Sequence, residues 1–180
     1  HKYHPKNILL TGATGFLGIH VLDQFLKREN CKIYCIVHEE PGITSRTKLY
    51  QKLNYYFGNK YNDLIDKRIF AISGDITRPG FGLNQDELLK LANNVDVIVN
   101  CAANVSHYGN YSMGNLMPRF KDGVFQENIK DNAFINKIIS FAKLGMFPDY
   151  ILDEIVEITP VDNAANTIYK LITHPNEKNR

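Results

Sequence analysis

An α/β fold built on a doubly wound, mostly parallel sheet, with a small and mostly helical C-terminal subdomain, is predicted by three features of the chain. Short apolar runs alternate with amphipathic stretches across residues 7 to 103, the pattern of successive βαβ units. The run Ile8-Leu9-Leu10 leads directly into Thr11-Gly12-Ala13-Thr14-Gly15-Phe16-Leu17-Gly18, three glycines set where a strand should turn into a helix. Beyond Gly109 the alternation stops and a long helix-like stretch follows.

Ile8 to Leu10 is the first strand. The helix after the glycines carries Leu17, Val21, Leu22, Phe25 and Leu26 on one face, with Asp23, Lys27 and Arg28 off it. Ile33-Tyr34-Cys35-Ile36-Val37 has the unbroken apolar character of a strand buried in a parallel sheet. Thr44 or Ser45 caps a helix running to about Phe57, with Leu49, Leu53 and Phe57 at helical spacing and Gly58 as its stop. Arg68 to Ser73 is a third strand. The turn Thr77-Arg78-Pro79-Gly80-Phe81-Gly82 leads to a helix from Asn84 to Ala92, whose first turn holds Asp86 and Glu87 where the dipole favours them. Val95 to Cys101 is the fourth strand. Farther on, Tyr111 to Leu116 reads as a short strand. Gln126 to Leu144 reads as a helix with Ile129, Ala133, Ile138 and Ala142 inward and Gly145 as terminator. Ile155 to Ile158 is a brief strand, and Thr159-Pro160-Val161-Asp162 opens a last helix, capped by Asp162 and carrying Ala165, Ile168, Tyr169 and Ile172.

A chain of 180 residues suffices for one sizeable core and falls short of two ordinary domains. A net charge of +2, from 21 basic and 19 acidic side chains, gives no electrostatic ground for a nucleic acid or anionic membrane partner. Of the three cysteines, Cys35 and Cys101 sit inside strand-like runs, as reduced core residues of a cytoplasmic protein do. No apolar stretch nears the roughly 20 residues of a membrane span, and the first residues lack the apolar core of a signal peptide. The six histidines show no metal-binding spacing.

The glycine segment points to a dinucleotide. Glycines let a backbone turn tightly and approach a pyrophosphate, while the N-terminal amides and dipole of the following helix favour its charge. Thr11, Gly12, Thr14, Gly15, Phe16, Leu17 and Gly18 are therefore cofactor-binding candidates. About 20 residues on, such sites carry an acid for the ribose of NAD or a base for the 2′-phosphate of NADP. Here the sequence is Val37-His38-Glu39-Glu40, with Arg46 and Lys48 close behind; His38, Arg46 and Lys48 favour NADP over NAD, and Glu39 or Glu40 is the ribose alternative. Ala102 and Ala103 are small residues at a strand's carboxyl end, where open α/β sheets bind ligands.

Together, Thr11 to Gly18, Gly74-Asp75-Ile76, Asn100-Cys101-Ala102-Ala103, Gly114-Asn115-Leu116-Met117-Pro118-Arg119 and Thr159-Pro160-Val161-Asp162 occur in the order seen in extended short-chain dehydrogenase/reductases. Asp122 to Asn128 followed by Asn132-Ala133-Phe134 resembles the thioester reductase domains of nonribosomal peptide synthetases and, more distantly, carboxylic acid and fatty acyl reductases. The resemblance implies a Rossmann-like core over residues 6–116, a substrate subdomain over 117–154, and a strand and helix over 155–174 that return to one or the other. It implies NADPH-dependent release of an acyl or peptidyl thioester as an aldehyde or alcohol, from a phosphopantetheinyl carrier (thiolation) domain. It also places Asp75 and Ile76 at the cofactor, the Asp75 carboxylate accepting from the adenine amino group, and Asn115 at the nicotinamide end. An arginine is expected where His38 stands.

The family's catalytic Ser or Thr and Tyr-x-x-x-Lys pair are absent. About ten residues join Ala103 to the Tyr111 segment, whereas two crossover units would need on the order of 60 residues, so a stretch is missing near residues 109–111. An omitted disordered segment, an engineered deletion and a degenerate gene each account for it. Tyr56-Phe57-Gly58-Asn59-Lys60 has the Tyr-x-x-x-Lys spacing, but Gly58 should end the helix between the two side chains. The intact protein is then a reductase and these 180 residues alone are inactive. The alternatives are an extended enzyme of the nucleotide-sugar epimerase or dehydratase kind and a non-catalytic dinucleotide-binding module.

Overall fold

The computed structural model describes residues 2–102, 115–146 and 158–174. Asn7–Thr11 forms β1, the glycine turn releases α1 at Phe16–Arg28, and Lys32–Val37 returns as β2, parallel to β1 with Leu9 beside Tyr34. α2 spans Ser45–Phe57: the Thr44 side chain caps it by accepting from the Thr47 amide, and Gly58 ends it at φ 61°. A 3-10 helix over Gly58–Leu64 leads to β3, Ile69–Ser73. A left-handed turn within Pro79–Gly82 precedes α3, Gln85–Asn94, whose start is closed by reciprocal hydrogen bonds between Asn84 and Glu87. β4 is Val97–Asn100.

These strands lie parallel in the order β3-β2-β1-β4. Leu9 and Ile36 on one face pack with Leu91 of α3, joined by Tyr34, Ile72 and Phe81. Period-two alternation turns Ile8, Leu10, Ile33 and Cys35 to the other face, all within 1% of full burial, and α1 and α2 contact β1 and β2. The sheet is thus doubly wound, as the sequence predicts.

In the second part of the chain, Asn115–Met117 (β5) pairs parallel with Ile158–Pro160 (β6), Leu116 beside Thr159. A 3-10 turn at Ile129–Asp131 precedes α4, Ala133–Leu144, and α5 spans Val161–Thr173. Among the described residues, 2–102 with 165–174 form one compact unit and 115–146 with 158–164 a second.

Several sequence expectations need correction. The helix expected from Gln126 begins at Ala133, because the Asn132 side chain caps it through the Ile135 amide and ties back to Gln126 Oε1 at 3.1 Å. Its four expected inward residues, Ile129, Ala133, Ile138 and Ala142, are all exposed, and Phe134, Ile135 and Phe141 are the half-buried ones. Asp23, placed off the apolar face of α1, is buried: Tyr61 and Lys60 reach it from the 3-10 helix, and Lys27 pairs with it one turn on. β4 is shorter than Val95 to Cys101. Asp162 lies inside the first turn of α5 instead of preceding it, and its Oδ1 accepts from the Phe120 amide at 3.0 Å. The junction at 109–111, and the parts of the two expected strands over 111–114 and 155–157, lie outside the described residues.

Candidate dinucleotide site

β1 is the point where the strand order reverses: the chain runs outward through β2 and β3, then crosses back to β4 on the other side. Open α/β sheets bind ligands in the crevice such a reversal leaves beyond the strands' carboxyl ends. Here that crevice is shaped by the three glycines, each for a different reason. Gly12 has φ +70°, and a Cβ there would lie 2.6 Å from both the Cys101 carbonyl carbon and the Ala102 amide nitrogen. Gly18 lets α1 close on β1, since a Cβ on it would stand 2.0 Å from the Gly12 oxygen. Gly15 is exposed, and only the Gly12 oxygen, at 3.2 Å, is near the place of its missing Cβ. The open side of the turn is therefore at Gly15, directly before the first amides of α1, a helix with no acidic residue in its first turn.

Asn100 fixes the opposite wall. Its Oδ1 accepts from the Thr11 hydroxyl at 2.5 Å and the Ala102 amide at 3.2 Å, and the Cys101 amide donates to the Thr11 oxygen at 3.2 Å. Thr11 is thus buried with its hydroxyl turned across the sheet. Burial pushes the Cys101 thiol up to about 11, which leaves it without thiolate character at neutral pH.

A second hollow of about 210 Å³ lies at the carboxyl ends of β2 and β3, lined by His38, Glu39, Ser73, Gly74, Asp75, Arg78, Phe81 and Gly82. Hydrogen bonds from the Thr77 hydroxyl and amide hold the Asp75 carboxyl below its usual range. Its other oxygen faces Arg78 Nε at 3.5 Å. Glu39 Oε1 accepts from the Ser45 amide at 3.1 Å, so that carboxylate is drawn toward the start of α2.

The structure brings the glycine turn, Ala102, His38 and Asp75 to the carboxyl ends of the parallel strands. Thr14, Phe16 and Leu17 are half-buried, and Phe16 packs edge-on to His20 at 5.1 Å. Ile76 is exposed. Arg46 and Lys48 do not line the hollow: Arg46 pairs with Asp66 at 2.8 Å, and Lys48 with Glu40 at 2.6 Å while donating to the His38 carbonyl. Asn115 opens β5 in the second unit, and Ala103 lies outside the described residues. Arg78 is the residue that sequence reasoning missed; its signal was a base three positions after Asp75, in the loop that follows β3. The Tyr56 and Lys60 pair is split as expected, Tyr56 buried in α2 and Lys60 beyond Gly58 on Asp23.

Among the described residues no cluster of His, Cys, Asp or Glu is placed to hold a metal, and no helix is long and apolar enough to cross a membrane. Comparison with known proteins matches residues 10–117 to an NAD-binding family described as male sterility protein. Probable polyketide synthase 45 of Dictyostelium discoideum is 32% identical over 158 residues, which are 86% of this chain and 5% of that protein. The chain thus spans about a twentieth of that relative's length. Among solved structures, a thiolation-reductase di-domain from an archaeal non-ribosomal peptide synthetase is 27% identical with a TM-score of 0.79, over 95% of this chain and 68% of that one. A reductase domain from Penicillium fellutanum, 17% identical with a TM-score of 0.74 over 97% and 66%, shares the fold.

Proposed function

Since this chain belongs to the NAD-binding male sterility protein family, as a thioester reductase domain of the extended short-chain dehydrogenase/reductases, we propose that it is the dinucleotide-binding part of an NADPH-dependent reductase. In the intact protein that reductase releases an acyl or peptidyl chain as an aldehyde or alcohol. The chain arrives as a thioester on a phosphopantetheinyl carrier domain, a partner supported by the thiolation-reductase pairing in the archaeal relative. The single observation that carries the cofactor reading is the glycine cradle: Gly12 is pressed against Cys101 and Ala102 while Gly15 stays open beside the start of α1. A pyrophosphate fits that cradle because the backbone supplies amides and no side chain stands in the way.

Gly12, Gly15 and the first amides of α1 hold the pyrophosphate. Ala102 leaves room at the crevice, and Asp75 with Ile76 borders the adenine end. His38 meets the 2′-phosphate. NADPH, when bound, supplies the hydride. The sequence has no Tyr-x-x-x-Lys besides Tyr56 and Lys60, and that pair is committed to the core and to Asp23. The 180 residues alone therefore bind the cofactor without reducing a thioester. That same observation favours the second reading, a dinucleotide-binding module without chemistry, for the chain taken by itself.

Calorimetric titration of NADPH and NADH tests the reading. Binding of NADPH in preference to NADH is expected, and Gly15→Val should abolish it while circular dichroism shows the fold retained. A folded Gly15→Val protein with unchanged affinity removes the cradle assignment; equal or better binding of NADH leaves the ribose to Glu39 or Glu40.

A further inference from the structure

We infer that Arg78, presented by a strained left-handed turn, is the residue that selects a 2′-phosphorylated nucleotide. Three consecutive residues of that turn, Gly80, Phe81 and Gly82, have φ of 58°, 61° and 70°. Glycine adopts this conformation freely, but at Phe81 it is strained, so the surroundings must enforce it. They do so in two ways. The Phe81 side chain packs against the Leu9, Ile36 and Leu91 cluster, and its backbone is held at both ends, its amide donating to the Arg78 oxygen at 3.0 Å and its oxygen accepting from the Asp75 amide at 2.8 Å.

The strain has a product. Gly82, lacking a side chain, leaves a seat for the Arg78 stem: a Cβ there would stand 3.2 Å from Arg78 Cδ. The stem is thereby laid along the turn, and the guanidinium emerges beside Asp75 on the rim of the hollow it shares with His38. The Arg78 side chain is 72% exposed and its pairing with Asp75, at 3.5 Å, is loose, so a phosphate can draw its planar donors into a two-pronged contact. Two carboxylates border the same hollow, Asp75 engaged by Thr77 and Glu39 by the Ser45 amide, and Arg78 is the permanent cation among the residues that line it. Arg46 and Lys48, tied to Asp66 and Glu40, do not compete for the role.

This rests on the dinucleotide reading above, and the experiment separates the two. NADPH, NADH, adenosine 2′,5′-bisphosphate and 5′-AMP are titrated by calorimetry against the 180-residue chain and its Arg78→Ala and Arg78→Lys variants. Arg78→Ala should weaken NADPH and the bisphosphate about 10- to 100-fold, as loss of a charge-assisted contact does, and change NADH and 5′-AMP less than twofold. Arg78→Lys should recover part of the loss. An equal change for all four ligands, or none for any, overturns the role of Arg78 while the cradle stands. A wild-type chain that binds neither dinucleotide overturns both.

Discussion

Helices α1 and α4 are nearly equal in length, 13 and 12 residues, and both carry an apolar stripe, yet their surroundings differ completely. Every residue of α1 from Gly18 to Leu26 is buried, whereas among the described residues α4 has none that is. Ile138, Ile139 and Leu144 stand 40%, 45% and 67% exposed. α1 lies on a four-stranded sheet; among the described residues the second unit offers α4 two strands of three residues each. A periodic apolar pattern thus registers a helix's demand for cover and says nothing about the supply, which depends on the rest of the chain.

The contrast is open to direct attack. Phe25 is 1% exposed and stacks edge-on to Tyr169 at 5.3 Å, so Phe25→Ala should lower unfolding free energy by about 3 to 5 kcal/mol. Phe141→Ala in α4 should cost about 1 kcal/mol or less. Urea unfolding of the two variants followed by circular dichroism measures both, and comparable losses would mean that α4 is covered as α1 is.

A second, smaller effect sharpens the first unit's side of the comparison. Glu29, just past the end of α1, is buried, which alone would raise its carboxyl; Lys2, Tyr169 and His4 outweigh burial and hold it at about 2, against an ordinary 4.5. A carboxyl lowered on folding stabilises fully above about 4.5, and that contribution fades as pH falls toward 2. Wild-type stability should therefore decline across this window more steeply than that of Glu29→Gln, and parallel declines in acid-titrated thermal melts would remove Glu29 from the account. An effect comparable to that of Phe141→Ala belongs to the cap of α4. Asn132→Ala should cost about 1 kcal/mol by removing the cap of α4, read as faster hydrogen exchange at the Ile135 amide, with β1 to β4 unaffected.

What could be read from the chain follows the same divide. In the first unit, local signals agree with one another: glycine turn, apolar runs, Thr44 cap and Gly58 stop each lie where the structure uses them. What failed there depended on distant partners. Nothing near Asp23 announces Tyr61, and nothing near Arg46 or Lys48 announces Asp66 or Glu40. The glycine turn forms where its spacing predicts, whereas the ion pairs that keep Arg46 and Lys48 off the hollow depend on position on folded loops. Arg78 sat in a segment whose proline and glycines read only as a turn. In the second unit even the helix start moved, because Gln126, Asn128 and Asn132 bind one another and make a polar loop of what periodicity assigned to helix.

The way the first unit is closed has a consequence for how the chain tolerates change. Tyr169 donates to Glu29 at 2.5 Å and the Tyr3 amide to the Thr173 oxygen at 2.6 Å, so the end of α5 and the first residues meet at the same end of α1. Everything between β4 and Ala165 is an excursion whose two ends are pinned to one scaffold. The entropy of closing such an excursion grows only logarithmically, so doubling its length adds about 0.6 kcal/mol. Insertions or losses that spare Cys101, Ala102 and the folded elements of the second unit are cheap by that measure, and the three glycines themselves all lie ahead of the excursion.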